Sequence, residues 1–311
     1  PYFQRLEQTG SFEVNVGGGE FNVAVGASRL GLRTAWVSRL PDNPLGLMVR
    51  NKAREQGVDT SHLLWTEEGR VGIYYLEFGA APRANRVIYD RKNSAISMVK
   101  PGEINWQKVF SDTKIFHLSG ITPALSSSAA KVTLEALKAA KKAGCQVSYD
   151  LNYRGKLWNQ QEARKCQEPM MNYVDILIST EEDTFKVFGI REKNYETVAE
   201  RLSEKFNFKV VTITLRENIS VWRNNWTAIA CAKGKIYRDK TYELEIVDRV
   251  GGGDAFTAGF LYGYLKEGVR EGLRYGNGFC ALKHSIRGDY HWATLKEVED
   301  LLTGGGLRIQ R

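Results

Sequence analysis

Cysteine is scarce in this chain of 311 residues and is never paired: Cys145, Cys166, Cys231 and Cys280 stand far apart. That spacing suggests neither a zinc site nor a disulfide framework. Free thiols fit a reducing cytoplasm, which is the expected compartment. The four histidines, His62, His117, His284 and His291, are equally isolated. No apolar run is long enough to span a bilayer and no signal peptide is visible, so no membrane partner is expected. Repeats and low-complexity blocks are missing. The net charge of +8 is not gathered into a stripe. Lys138, Lys141 and Lys142 read as one solvated helix face, which argues against nucleic acid as a partner. A modest positive excess favours anionic substrates. The first residue is Pro1 rather than Met, so residues upstream are expected.

What is present is an alternation of strand-like and helical runs. Residues 35–39, 114–119, 146–150, 175–179 and 209–214 read as buried strands. Residues 20–30, 45–56, 127–143, 161–173, 197–206 and 255–265 read as helices. This rhythm predicts an α/β fold with a mostly parallel sheet sandwiched by helices, and such sheets bind ligands at the carboxyl ends of their strands. Residues 72–78 and 86–91 break the rhythm as two strands with no helix between them. They predict a hairpin or small sheet, joined by residues 12–16, that serves as a lid. The expected division is an α/β core over 17–70 and 96–311, with a discontinuous β lid over 1–16 and 71–95. Gly304-Gly305-Gly306 reads as a flexible end.

The most informative stretch is Asp248-Arg249-Val250-Gly251-Gly252-Gly253-Asp254. Three glycines between a strand and a helix let the backbone turn sharply and aim bare N–H groups inward. The helix start adds unpaired N–H groups and partial positive charge, which together cradle an anion such as phosphate. Asp254 then faces both the cradle and a substrate hydroxyl, and its place at the helix start should keep it ionised. A plain glycine turn N-capped by Asp254 accounts for the same residues.

Five further segments carry polar groups to strand or helix ends or to a turn. Gly17-Gly18-Gly19-Glu20-Phe21-Asn22 precedes a helix, and offers close backbone approach and one amide, or an ordinary turn. Tyr89 and Arg91 share a strand face with Val87, and Tyr74 on the neighbouring strand can join them. The planar fork of Arg91 suits a carboxylate, although an exposed strand edge would look the same. Asp150-Leu151-Asn152-Tyr153-Arg154 follows a buried strand and brings a second arginine, or is a solvent loop. Thr214 and Arg216 end another strand and can border a nucleotide, while Asp289 reaches a ligand or stabilises a turn.

In this order the segments resemble the ribokinase-like (PfkB) carbohydrate kinases. Asp248 to Asp254 matches the family's D-x-[TV]-G-[AG]-G-D signature, and Gly17 to Asn22 its Gly-Gly-x-x-x-Asn element. A narrower resemblance, to 2-keto-3-deoxygluconate kinases, rests on Tyr89-Asp90-Arg91-Lys92-Asn93-Ser94-Ala95, His117 to Thr122, Asp150 to Arg154 with Leu157-Trp158, and Asp248-Arg249-Val250. It implies a ribokinase-like fold and ATP-dependent phosphorylation of a sugar acid's terminal hydroxyl, most simply that of 2-keto-3-deoxygluconate. Asp254 would be the base and Gly251, Gly252 and Gly253 the anion hole. Tyr89, Arg91 and Arg154 would hold the sugar acid, with Gly18, Asn22, Tyr74 and Asp289 as further contacts. Thr214, Arg216, Gly251, Gly253 and Asn277 would meet the nucleotide.

The resemblance implies Mg²⁺ as cofactor and allows a monovalent cation. Relatives often carry Asn-x-x-Glu where this chain has Thr180-Glu181-Glu182-Asp183, so Glu182 or Asp183 would serve the metal through water. Their nucleotide loop often reads T-L-G-x-x-G, whereas Thr214 to Asn218 has no glycine. A homo-oligomer paired through the lid is also implied. Two arginines aimed at one site are wasteful for a neutral sugar but suit a carboxylate. A neutral-sugar kinase and a non-catalytic sugar-acid-binding protein are the competing readings.

Overall fold

The computed structural model describes residues 3–305. Short strands β1 (Arg39–Pro41) and β2 (Leu64–Thr66) pair in parallel, and β3 (Ile73–Glu77) and β4 (Arg86–Asp90) form an antiparallel hairpin. The main sheet contains β5 (Ile115–Ser119), β6 (Gln146–Asp150), β7 (Ile176–Ser179), β8 (Val210–Asn218), β9 (Arg223–Ala232), β10 (Lys235–Arg238) and β11 (Tyr242–Glu245). Strands β5 to β8 run parallel; β9 turns back on β8 and pairs antiparallel with β10 and β11.

The helices are α1 (Gly19–Arg29), α2 (Pro44–Glu55), α3 (Trp106–Val109), α4 (Ile121–Ala124), α5 (Ser127–Lys142), α6 (Gln160–Gln167), α7 (Glu181–Phe188), α8 (Tyr195–Phe206), α9 (Gly252–Glu267), α10 (Val269–His284) and α11 (Leu295–Leu302). None of the described helices is long and apolar enough to cross a membrane.

The parallel strands are continuous apolar runs because both their faces are covered. Along β7, Leu177 enters the cluster lined by α5, α6 and α8, while Ile176 and Ile178 enter the opposite cluster built on α1, α9 and α10. Period-two alternation thus feeds two cores from one strand. A smaller cluster around Phe21, Val25, Leu40 and Val49 packs α1 against α2.

Helices α9 and α10 approach so closely that the glycines lying between them have no room for side chains. A Cβ at Gly259 would lie 2.5 Å from the Tyr275 carbonyl oxygen, and one at Gly276 would lie 2.9 Å from the Phe256 ring. These glycines form a seam that sets the helix spacing and hence the position of the α9 N-terminus.

Four expectations change. Residues 35–39 are no regular strand; they pair with 59–66 through Trp36 N–H to the Asp59 oxygen (2.9 Å) and Leu64 N–H to the Ser38 oxygen (2.9 Å). The partner segment is interrupted by a turn in which Leu63 N–H bonds the Thr60 oxygen, so a continuous ladder cannot form. Residues 12–16 add no strand to the hairpin. Instead the Phe12 ring leans on Tyr75 at 5.4 Å. Asp254 is not an N-cap: Gly251, with φ of 74°, caps α9 and the helix starts at Gly252. Gly304 and Gly305 are not loose, because their N–H groups bond the Leu301 and Asp300 oxygens and close α11; Gly306 lies outside the described residues.

The hairpin is fastened at its far end by Glu77, whose buried carboxylate accepts from the Leu6 N–H at 2.9 Å and from Arg83 at 2.6 Å. Its face bearing Tyr74, Leu76, Val87 and Tyr89 turns toward the sheet's carboxyl edge.

The glycine seam makes a stability prediction. Gly259→Val should force α9 and α10 apart and cost about 2–3 kcal/mol, read as a lower urea midpoint with an unchanged slope.

Candidate active site

Two glycine-led helix starts face each other across the carboxyl edge of the sheet. Gly18 (φ 142°) caps α1 and Gly251 caps α9. From α1, the Asn22 amide donates to Asp254 Oδ2 at 2.7 Å. Glu20 anchors the same helix start: its Oε1 accepts from Ser119 N–H (3.0 Å), Ser119 Oγ (2.9 Å) and Thr122 Oγ1 (2.7 Å) at the end of β5. The turn before α9 is held by Asp248, which accepts from Val250 N–H at 2.9 Å and Gly288 N–H at 3.0 Å. The first amides of α9 have no intrahelical acceptor, and no atom lies within 4 Å of where a Gly253 Cβ would be, so a ligand can approach that backbone closely. At Gly251 a Cβ would strike the Asp289 carbonyl oxygen at 1.8 Å, which seats the turn against the 286–289 loop.

Burial decides the charge states. It raises Asp254 to about 6, against the Asn22 hydrogen bond and Arg154, which favour the ionised form. A helix start alone would have left Asp254 a weak base; desolvation makes it a stronger one that is still mostly ionised at neutral pH. Burial, with Asp254 and Asp183 nearby, pushes Asp150 up to about 8, and it lifts Asp183 as well. Three carboxyl groups thus crowd the ends of β6, α7 and α9, with Arg154 opposing all three.

The hairpin closes the other side. Tyr74 donates its hydroxyl to Asp289 Oδ1, and burial, opposed by that bond, raises Asp289 to about 6. Tyr74 and Tyr89 lie 6.0 Å apart, and the Arg91 guanidinium stacks over the Tyr89 ring at 4.1 Å. Arg91 Nε and Nη2 are buried without a hydrogen-bond partner, and Arg154 is close enough to lower the Arg91 pKa further after burial. Lys156 reaches across to donate to the Val87 carbonyl at 2.8 Å. At the opposite end, Arg216 and Arg249 repel each other, and Arg249 donates to the Val221 oxygen at 2.6 Å.

One cleft is therefore lined by Gly18, Asn22, Tyr74, Tyr89, Arg91, Arg154, Asp289, Thr214, Arg216, Gly251, Gly252, Gly253, Asp254, Glu182 and Asp183. Asn277 does not reach it. It is fully buried in α10, where its amide donates to Asp239 at 3.0 Å and accepts from Trp226 at 3.2 Å, leaving it no face for a nucleotide. Glu182 is exposed and bonded to Lys186 at 2.5 Å, whereas Asp183 faces Arg154. Thr180 caps α7 through Asp183 N–H. No cluster of three potential metal ligands occurs among the described residues. Sequence reasoning gave no role to Asp150, Glu20 or Lys156. Only the position of Asp150 at a strand end hinted at it.

The family model described as pfkB family carbohydrate kinase matches residues 3–292. A 2-dehydro-3-deoxygalactonokinase of Haloferax volcanii is 38% identical over 100% of this chain and 95% of its own. The crystal structure of a 2-dehydro-3-deoxygluconokinase from Thermotoga maritima superposes with a TM-score of 0.95 at 41% identity, covering 98% of this chain and 94% of that one. A 5-dehydro-2-deoxygluconokinase of Shouchella clausii is 28% identical over 97% of this chain and 90% of its own.

The geometry around Asp254 fixes a pH expectation. Turnover that needs the ionised carboxylate should fall as pH drops through about 6. Asn22 favours the ionised form, so Asn22→Leu should move this acidic limb of kcat/KM to higher pH. A limb unmoved in the variant would show that Asp254 does not set it.

Proposed function

The chain belongs to the pfkB family of carbohydrate kinases, and from that premise we propose that it transfers the γ-phosphoryl group of ATP to the terminal hydroxyl of a keto-deoxy sugar acid. The substrate is 2-keto-3-deoxygluconate and the product its 6-phosphate. The observation that carries this reading is Arg91: a guanidinium with two buried, unpartnered nitrogens, beside a second arginine, just past β4 in the cleft that also holds Asp254. An arginine with no carboxylate partner of its own, beside a second guanidinium, fits a planar carboxylate. A neutral sugar leaves that charge unanswered.

On this reading Tyr89, Arg91 and Arg154 bind the carboxylate end, with Gly18, Tyr74 and Asp289 bordering the sugar. Asn22 holds Asp254 in place, and Asp254 accepts the proton of the attacking hydroxyl. Proton transfer late in a loose transition state asks little of a base, and burial supplies more basicity than the helix start alone. The N–H groups of Gly251, Gly252 and Gly253 stabilise charge on the transferring group, each donor being worth about 3–4 kcal/mol. Thr214, Arg216 and Arg249 border the nucleotide phosphates.

Mg²⁺ supplies charge neutralisation at those phosphates. The excess of carboxyl groups at Asp150 and Asp183 suits a divalent cation held partly through water, while Glu182 is committed to Lys186. Residues 71–95, with 1–16, act as a lid over the core formed by 17–70 and 96–311; residues 1–2 and 306–311 of these ranges lie outside the described residues. The lid excludes water from the reacting groups. Tyr75, Ile73 and Ile88 on its outer face would pair two copies in a homo-oligomer.

ADP release with Mg-ATP should be strongest with 2-keto-3-deoxygluconate, compared with its C4 epimer, 5-keto-2-deoxygluconate, fructose and ribose. Turnover restricted to a neutral sugar would discard the carboxylate clamp. Asp254→Asn should abolish turnover and leave sugar-acid binding by calorimetry largely intact. Arg91→Ala and Arg154→Ala should raise KM for the sugar acid by about tenfold or more, in line with lost charged hydrogen bonds, and change KM for ATP little.

A further inference from the structure

Lys283 lies in the last turn of α10 and is wholly buried. Its Nζ donates to the Ile286 carbonyl oxygen at 2.9 Å. Burial lowers its pKa, and Asp248, Asp289 and Asp254 work against that from around it. All three carboxylates belong to the cleft floor already described. Asp248 pins the glycine turn and the 286–289 loop together through Val250 and Gly288. Asp289 receives Tyr74 from the hairpin, and Asp254 receives Asn22 from α1. The carbonyl end of α10 adds its own negative pole, and the His284 oxygen accepts from Val247 N–H (2.8 Å) and Asp248 N–H (3.2 Å).

A buried ammonium is costly unless something answers its charge. Here the compensation comes from three acids that would otherwise repel one another. They would also repel the polyphosphate arriving above them. We propose that the Lys283 ammonium is the built-in cation of the phosphate cradle. It draws the Asp248 and Asp289 loops together beneath Gly251–Gly253 and offsets their negative charge as the nucleotide binds. Lys283 is a positioning residue, shielded from the cleft and touching no substrate. A tethered cation makes a freely exchanging monovalent cation redundant. The inference rests on reading Gly251–Gly253 as the phosphate cradle.

The test compares wild type with Lys283→Met in potassium chloride, ammonium chloride and choline chloride. Wild-type turnover should vary less than about twofold among the salts. In choline the variant should lose about a hundredfold in kcat, the scale set by removing one preorganised electrostatic group. Its KM for the sugar acid should stay within about threefold, because the carboxylate clamp is untouched. Ammonium or potassium should restore at least about tenfold of the lost rate, by taking the vacated place.

A wild type that requires potassium, an unimpaired variant, or a loss that no cation restores would each overturn the inference. The last would mark Lys283 as a packing residue. Should Lys283→Met not fold, the wild-type salt series still decides, and Lys283→Arg, which keeps the charge, must show the same indifference to potassium. Calorimetric binding of a non-hydrolysable Mg-ATP analogue needs no sugar. It should weaken about tenfold in the variant in choline and recover in potassium. A wild type silent on every sugar acid, together with a variant that shows this cation-dependent binding, would fault the substrate reading alone.

Discussion

One hydrogen bond, from the Asn22 amide to Asp254, joins residues 232 positions apart and fixes how the two glycine-led helix starts face each other. Everything else in the cleft is arranged around that pairing. Glu20 fastens α1 to the end of β5, and Asp248 fastens the turn before α9 to the 286–289 loop. The glycine seam sets α9 against α10. Each of these restraints acts on the position of one carboxylate. A base must lie within hydrogen-bond reach of the proton it takes, and this fold spends its tightest packing on that distance.

The electrostatics follow from burial more than from the helix ends. Asp254, Asp150 and Asp289 all lie well above the ordinary carboxylate range, and desolvation is the first cause in each case. Acidic groups gather on the floor of the cleft and guanidiniums on its walls. Arg91 stands at the hairpin and Arg216 and Arg249 at the far end. Arg154 and Lys283 answer the acids from close by, whereas Arg91, with two unpartnered nitrogens, keeps its charge available for a ligand.

Much of this was legible in the sequence where the signal was local. The turn at Gly251–Gly253 and the strands β6 and β7 depend on residues next to each other in the chain. The hairpin β3–β4 was legible too, because nothing helical separates its strands. What could not be read depended on distant partners. Residues 12–16 have strand composition, yet Phe12 finds Tyr75 instead of a ladder. Helix α10 went unseen because Gly272, Gly276 and Gly278 look like helix breakers until α9 is laid against the first two and Leu302 of α11 against the third. Lys283 drew no reading from the sequence, and Asn277 read as an amide available to a nucleotide. Only packing shows that the first faces three acids and the second is consumed by Asp239 and Trp226.

The bond from Lys156 to the hairpin ends on the main-chain carbonyl of Val87, not on a side chain. Whatever residue occupies position 87, that carbonyl remains. The side chain there lies on the cleft-facing side of β4, beside Tyr89, where it helps shape the cavity wall. Mechanical attachment and the shape of the cavity wall are therefore assigned to different atoms of the same residue. Position 87 can therefore carry a larger or smaller side chain, reshaping the cavity wall, while the hairpin stays fastened.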